Sequence, residues 1–256
     1  MAADPLLVAG AGLIGLCFGS FLNVCILRLP HEQSLLRPPS TCPSCGGRIA
    51  WYDNVPVVSW LLLGGRCRSC RAPISIQYPL IELLVGVLWA AAVLLYGVSL
   101  HALGAAVFGT VLLGIAVTDA RHYLIPDEFT WGGLALGLAL ALEAGGPGLV
   151  QALLGAATGF ALLGVVARVG QWVFKEEAMG GGDIKMMAMV GAFVGWKGVL
   201  LTVFAGALLG TLIFVPLSLR KKRLVPFGVF LALGAAVTFV AGDTIITWYL
   251  QFLRGG

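Results

Sequence analysis

MGGGDIKMMAMVGAFVGWKGVLLTVFAGALLG, residues 179–210, sets one aspartate in a run of glycines and then continues almost wholly in apolar residues. Asp and Lys cost roughly 2.5–3.5 kcal/mol each at the centre of a membrane helix. An acid kept in such a place is a functional-site candidate by default, provided that it has a partner. The rest of the chain is similar material. Hydrophobic residues make up 59% of the 256 and charged ones 11%, against about 25% charged in soluble domains. The mean hydropathy is +0.96. The solvent for this chain is a lipid bilayer.

Working outward from 179–210, the apolar segments predict an all-α polytopic membrane protein with about eight spans. The first runs from Pro5 to Leu27, without a basic n-region or a small-residue cleavage site, and reads as a retained helix. The others lie at 74–96, 100–118, 127–143, 149–172, 184–196, 198–218 and 226–252, each near the ~20 residues a bilayer needs except the shorter 184–196. One long polar stretch, 30–73, interrupts them. The expected organisation is therefore a first helix (1–29), a four-cysteine loop (30–73) and a seven-helix membrane domain (74–256). The 36 glycines suit helices that pack closely through small residues.

Charge placement predicts the orientation. With the N-terminus outside, Arg28, Arg37, Arg48, Arg66, Arg68, Arg71, Arg121, Lys175 and the tract RKKR (220–223) all fall on the cytoplasmic side, leaving Lys197 and Arg254 outside. The positive-inside rule then puts the cysteine loop in the cytoplasm. The net charge of +4 carries no aromatic-interleaved basic patch and no GxGxxG after a strand, which argues against nucleic acid as a partner.

The loop contains Cys42 and Cys45, then Cys67 and Cys70: two CxxC pairs with the spacing of a four-thiolate zinc ribbon. A reducing compartment disfavours disulfides, and a thioredoxin-like motif would need a βαβ context. Structural metal is the favoured reading, with iron–sulfur, redox and unmetallated thiols left open. A zinc would also give a short loop the stability its own core cannot supply. His31 is too far upstream to be a convincing fifth ligand, so the metal is expected to be structural. Cys17 and Cys25 read as small apolar residues of the first helix.

A second acid in the apolar chain, Asp119 in TDARHYLIPD (118–127), falls at the same expected membrane depth as Asp183. Two carboxylates about 4 Å apart repel by several kcal/mol even at an effective dielectric near 20. Such a pair shares one proton, and one member can act as general base while the other polarises a carbonyl. The plainer alternatives are helix caps and interface polar groups, or a proton relay in a transporter. Asp127 and Glu128 suit the start of the next helix. Lys185 is expected to meet lipid phosphate in preference to an acid, and Glu176 and Glu177 to be solvated.

Together these motifs resemble the bacterial type IV prepilin peptidases, bifunctional leader peptidases and N-methyltransferases of the GxGD aspartic protease class. GSFLNVCILRLP (19–30), the two CxxC pairs followed by APIS and QYPLIELL, TDARHYLIPD and GGGD (180–183) match in order over nearly the whole chain. The resemblance implies that Asp119 and Asp183 are the catalytic acids and that Gly180 and Gly182 are the glycines of the motif. It makes Asp127 a non-catalytic acid and places zinc on Cys42, Cys45, Cys67 and Cys70. It further implies an inner-membrane enzyme that cleaves the basic leader of prepilins or pseudopilins after a glycine. S-adenosylmethionine-dependent methylation of the new N-terminal residue would follow. The family places methylation with the first helix and cysteine loop, where Asn23, Arg28, Gly65 and Glu82 are candidates. Asn23 also reads as an interhelical hydrogen bond and Arg28 as a snorkelling anchor. Glu82 is expected to meet Arg28 or a backbone group. The rivals are a proton-coupled transporter, a scaffold for a cytoplasmic ATPase, and a peptidase without methyl transfer.

Overall fold

The computed structural model describes residues 4–142, 148–175, 179–218 and 226–253. They form two compact units, Met1–Thr110 and Val111–Gly256. Glu176, Glu177, Arg254 and the RKKR tract lie outside the described residues.

In the first unit, α1 (Pro5–Arg28) opens on Asp4, whose Oδ1 accepts the Leu6 N–H at 2.9 Å while Pro5 pre-sets the first helical φ. A loop carrying the short helix α2 (Val58–Leu62) leads to α3 (Gln77–Tyr96). Helices α1 and α3 pack backbone to backbone. A Cβ on Gly19 would lie 2.6 Å from Glu82 Cα, and one on Gly15 would lie 2.9 Å from Gly86 Cα. In lipid no hydrophobic driving force separates helix faces from solvent, so close packing through small residues carries the association. Phe18 stacks on Trp89 at 4.5 Å, and the Trp89 indole N–H donates to Thr110 Oγ1 at 3.1 Å. The latter contact holds the middle of α4 (Leu100–His122), which runs on into the second unit.

The second unit is built around α7 (Gly181–Ser218), which packs against α5 (Asp127–Leu140), α6 (Leu149–Phe174) and α8 (Phe227–Leu253). Met186, Met187, Met189, Val190 and Ala192 of α7 are fully buried. Gly155 and Gly159 of α6 lie directly on the backbone of Gly191 and Met187, so any side chain there would force the two helices apart. Gly195, at φ 67° and ψ 176°, breaks α7 into two limbs.

Among the described residues, six helices are long and apolar enough to cross a membrane: α1, α3, α4, α6, α7 and α8. The segments expected at 184–196 and 198–218 are the two limbs of α7, and the one expected at 127–143 is the 14-residue α5. No strand occurs among the described residues, where Thr41–Arg48 and Arg66–Pro73 form isolated bridges.

Candidate active site and metal centre

The two bridges enclose the two CxxC pairs, and the turns they close are built alike. In one turn Cys42 N–H donates to Gly47 O, Gly46 N–H to Cys42 O and Ile49 N–H to Ser40 O. In the other, Cys67 N–H donates to Ala72 O, Arg71 N–H to Cys67 O and Ile74 N–H to Gly65 O. Gly46 (φ 69°) and Arg71 (φ 61°) occupy the same left-handed position of the two turns. The sequence points to this at Gly46 and hides it at Arg71.

These turns bring the four Sγ atoms within 4.8 Å of one another, with Cys42 and Cys70 at 3.8 Å. All are free thiols, well beyond the ~2.05 Å of a disulfide. Tetrahedral zinc at about 2.3 Å from each sulfur requires sulfurs about 3.8 Å apart, so the donor set fits a divalent metal. The electrostatics agree. Backbone N–H groups of Cys45 and Ser44 draw the Cys42 thiol down to about 6. The Ala72 N–H acts likewise on Cys70, but burial and the sulfurs of Cys45, Cys67 and Cys42 outweigh it and push that thiol up to about 11. Four thiols this close cannot all ionise without a cation among them. Arg68, inside the second turn, grips Asp53 with two N–H groups at 2.6 and 2.8 Å and holds that carboxyl below the usual range.

The remaining candidates of the first unit serve distinct contacts. Asn23 Nδ2 donates to Tyr78 O at 3.1 Å, the expected interhelical bond, while its buried Oδ1 has no hydrogen-bond partner. Arg28 does not meet Glu82. Its guanidinium donates to the carbonyls of Ser34, Leu35 and Pro38 at 2.9, 3.3 and 2.8 Å, tying down the chain after α1. Glu82, 7% exposed, takes the other expected kind of partner, the Val57 N–H at 2.7 Å. Gly65 has φ 66°, and a Cβ there would meet the Trp60 ring at 2.8 Å, so the turn admits no side chain.

The two aspartates both lie in the second unit. Asp119 lies in the last turn of α4, 6% exposed, and Tyr123 N–H closes the helix end on its carbonyl at 2.9 Å. Its Oδ2 accepts the Val229 N–H from the start of α8 at 3.2 Å. Asp183 lies in the first turn of α7, its N–H donating to Gly180 O at 3.2 Å, and its buried Oδ1 has no hydrogen-bond partner. Ile125 Cδ1 and Asp119 Oδ2 both lie against Gly228 at the start of α8. Gly180 faces Asp183 Oδ2, and a Cβ on Gly182 would lie 2.9 Å from Ile125 Cβ. Lys185 departs from expectation. It pairs with Asp127, both carboxylate oxygens lying at 2.7–2.8 Å, because the turn before α5 brings that acid to the start of α7. Ile125, Gly228 and Val229 escaped the sequence reading. Their one signal is a glycine in the first turn of α8, at a cost of about 1 kcal/mol relative to alanine.

Membrane-length helices carrying two buried acids, with a four-thiol cluster in a loop, define a polytopic membrane protein with the donor set of a metal site. Residues 13–96 match the family model of the bacterial peptidase A24 N-terminal domain, and residues 106–215 match that of the type IV leader peptidase family. A prepilin leader peptidase/N-methyltransferase of Myxococcus xanthus is 40% identical over 87% of this chain, which spans 66% of that relative's length. Proteins of the same name from Xanthomonas campestris and Neisseria gonorrhoeae are 36% and 33% identical, covering 94% and 96% of their lengths. No solved structure matches the chain. The chain belongs to the type IV leader peptidase family.

Proposed function

We infer that this chain removes the leader from prepilins and methylates the N-terminus so exposed, with Asp119 and Asp183 as its peptidase acids. The observation that carries the peptidase reading is that the end of α4 and the start of α7 come together around Ile125, which lies against Gly182 beside Asp183 and, with Asp119 Oδ2, against Gly228, both acids falling within residues 106–215. One carboxylate takes a proton from water as its oxygen attacks the scissile carbonyl carbon. The other, protonated, donates to the carbonyl oxygen. Collapse of the tetrahedral intermediate breaks the C–N bond, and the leaving amine takes the proton that the base acquired. Asp119 Oδ2 is held by a backbone N–H of α8, and the buried Asp183 Oδ1 carries no hydrogen bond that a proton shared between the acids would have to displace. Gly180 keeps bulk away from Asp183 and so admits an extended peptide, while Gly182 gives its space to Ile125.

The substrate is a prepilin or pseudopilin whose basic leader lies in the cytoplasm and whose apolar helix lies in the bilayer, so the scissile bond, after a glycine, sits at the inner face. The N-terminus is outside and the cysteine loop inside. Zinc on Cys42, Cys45, Cys67 and Cys70 orders that loop; with four thiolate ligands the site is closed, and its role is structural. S-adenosylmethionine supplies the methyl group. Its cationic end suits the acceptor groups buried in the first unit, the Glu82 carboxylate and Asn23 Oδ1, while Arg28 and Gly65 shape the loop beside them.

The test uses purified protein in detergent, mixed with a prepilin that carries its leader, with and without S-adenosylmethionine. Mass spectrometry reads leader loss and the gain of one methyl group. Asp119→Asn and Asp183→Asn are each expected to abolish cleavage by folded, metal-loaded protein. Wild-type cleavage by either variant would remove the aspartyl mechanism.

A further inference from the structure

We propose that the first turn of α8 is a positioning element for Asp119 and that Gly228 is its critical residue; this rests on the reading of Asp119 as a peptidase acid. Helix α8 (Phe227–Leu253) lies outside both matched segments, 13–96 and 106–215. Its first turn nevertheless forms one wall of the aspartate site.

The need for such a wall follows from where Asp119 stands. The last turn of a helix presents unpaired carbonyls and the negative end of the helix dipole, which disfavours a carboxylate. A buried acid there requires donors from another element. The start of α8 has them, because the first N–H groups of a helix lack intrahelical acceptors. The Val229 N–H, which also reaches Pro226 O at 3.3 Å, donates to Asp119 Oδ2 at 3.2 Å, and the Gly228 N–H is a second donor to the same carboxyl.

Gly228 makes that approach possible. A Cβ at 228 would lie 2.9 Å from Asp119 Oδ2, 3.1 Å from its Cγ and 2.9 Å from Ile125 Cδ1. Any side chain would therefore displace the carboxylate, Ile125 or the helix start. Ile125 in turn packs on Gly182, the residue before Asp183. One missing side chain thus places the first acid directly and the second through Ile125.

The experiment measures kcat and KM for leader cleavage by the full-length protein, and methylation of a leaderless pilin as a control for folding. Gly228→Ala is expected to lower kcat at least tenfold, with KM and methylation near wild type. Ile125→Val in the same chain removes only the Cδ1 clash, so the double variant is expected to stay impaired. Should Gly228→Ala fail to fold, Val229→Pro deletes one of the two donors at a first-turn position where a helix tolerates proline, and a smaller loss of kcat, at least threefold, is expected. Wild-type kcat in Gly228→Ala or Val229→Pro would overturn the proposal. Full restoration by Ile125→Val would also overturn it, by showing that Gly228 serves packing alone. Asp119→Asn and Asp183→Asn run beside these variants. If they cleave normally, the aspartyl reading has failed; if they are dead while Gly228→Ala and Val229→Pro are normal, only the role given to α8 has.

Discussion

Val57 has φ 61° and ψ −51°, and its turn is closed by the Val58 N–H on Pro56 O at 2.6 Å. This hand of γ-turn is rare, and a residue held in so sparse a region costs on the order of 1–3 kcal/mol. Glu82 holds it there, accepting the Val57 N–H at 2.7 Å. A hydrogen bond to a charged group contributes about 1.5–3 kcal/mol, comparable with the strain it offsets. The cysteine loop is thereby fixed to α3 at one point. Glu82→Ala frees that point and is expected to cut methyl transfer by tenfold or more, the loss of about 1.4 kcal/mol or above, while leader cleavage is spared. Glu82→Gln, which keeps an acceptor, should retain part of the activity. Following both products in one reaction decides the matter, since a parallel fall in cleavage and methylation would mean that Glu82 merely stabilises the chain. The sequence marks Glu82 as a buried acid needing a partner. It cannot mark Val57, because a valine in that conformation is disfavoured by every local preference and is kept by a tertiary contact 25 residues away.

Between elements, two small devices repay comparison. The twin CxxC turns differ at their left-handed position, where Gly46 is free of strain and Arg71 is not. A left-handed conformation costs a residue other than glycine about 1–2 kcal/mol, part of which glycine gives back through a freer unfolded chain. Arg71→Gly is therefore expected to leave metal retention unchanged or slightly improved in a chelator titration; weaker retention would assign the Arg71 side chain a task of its own. The second device is the Lys185–Asp127 pair joining α7 to α5. Its side chains are 33% and 56% exposed, which limits it to at most about 1 kcal/mol. Asp127→Asn should slow cleavage by no more than about fivefold, the equivalent of that energy. A loss as complete as that of Asp119→Asn would make Asp127 a participant in the chemistry. Lys185 also shows what sequence alone leaves open. Its depth was readable, but its partner depends on how the chain turns at Ile125 and Pro126, which no periodicity encodes. Asp119 and Asp183 were legible because acids are costly among apolar spans. Gly228 was not, because its meaning lies in a contact across 109 residues of sequence.

At the scale of the whole chain, the two compact units are held by different forces. The second rests on helix packing around α7, where five residues from Met186 to Ala192 are fully buried. Packing of this kind owes nothing to a metal. The cysteine loop of the first unit has little to bury: Leu36, Trp51, Leu61 and Leu62 are all more than half exposed. Its order comes from polar contacts such as those of Arg28, Glu82 and Arg68, and from the thiol cluster. A structural zinc contributes on the order of 10–16 kcal/mol in small peptides, far more than any other contact available to this loop. Metal removal should therefore act on one unit and spare the other. After a strong chelator at neutral pH, methyl transfer is expected to disappear and the loop to become sensitive to protease, while leader cleavage and helix content persist. Cys42→Ser with Cys67→Ser should reproduce the result without chelator. Cleavage lost together with methylation, in protein whose helices remain intact by circular dichroism, would show that the aspartate site depends on the metal loop, and the assignment of one activity to each unit would then have to be given up.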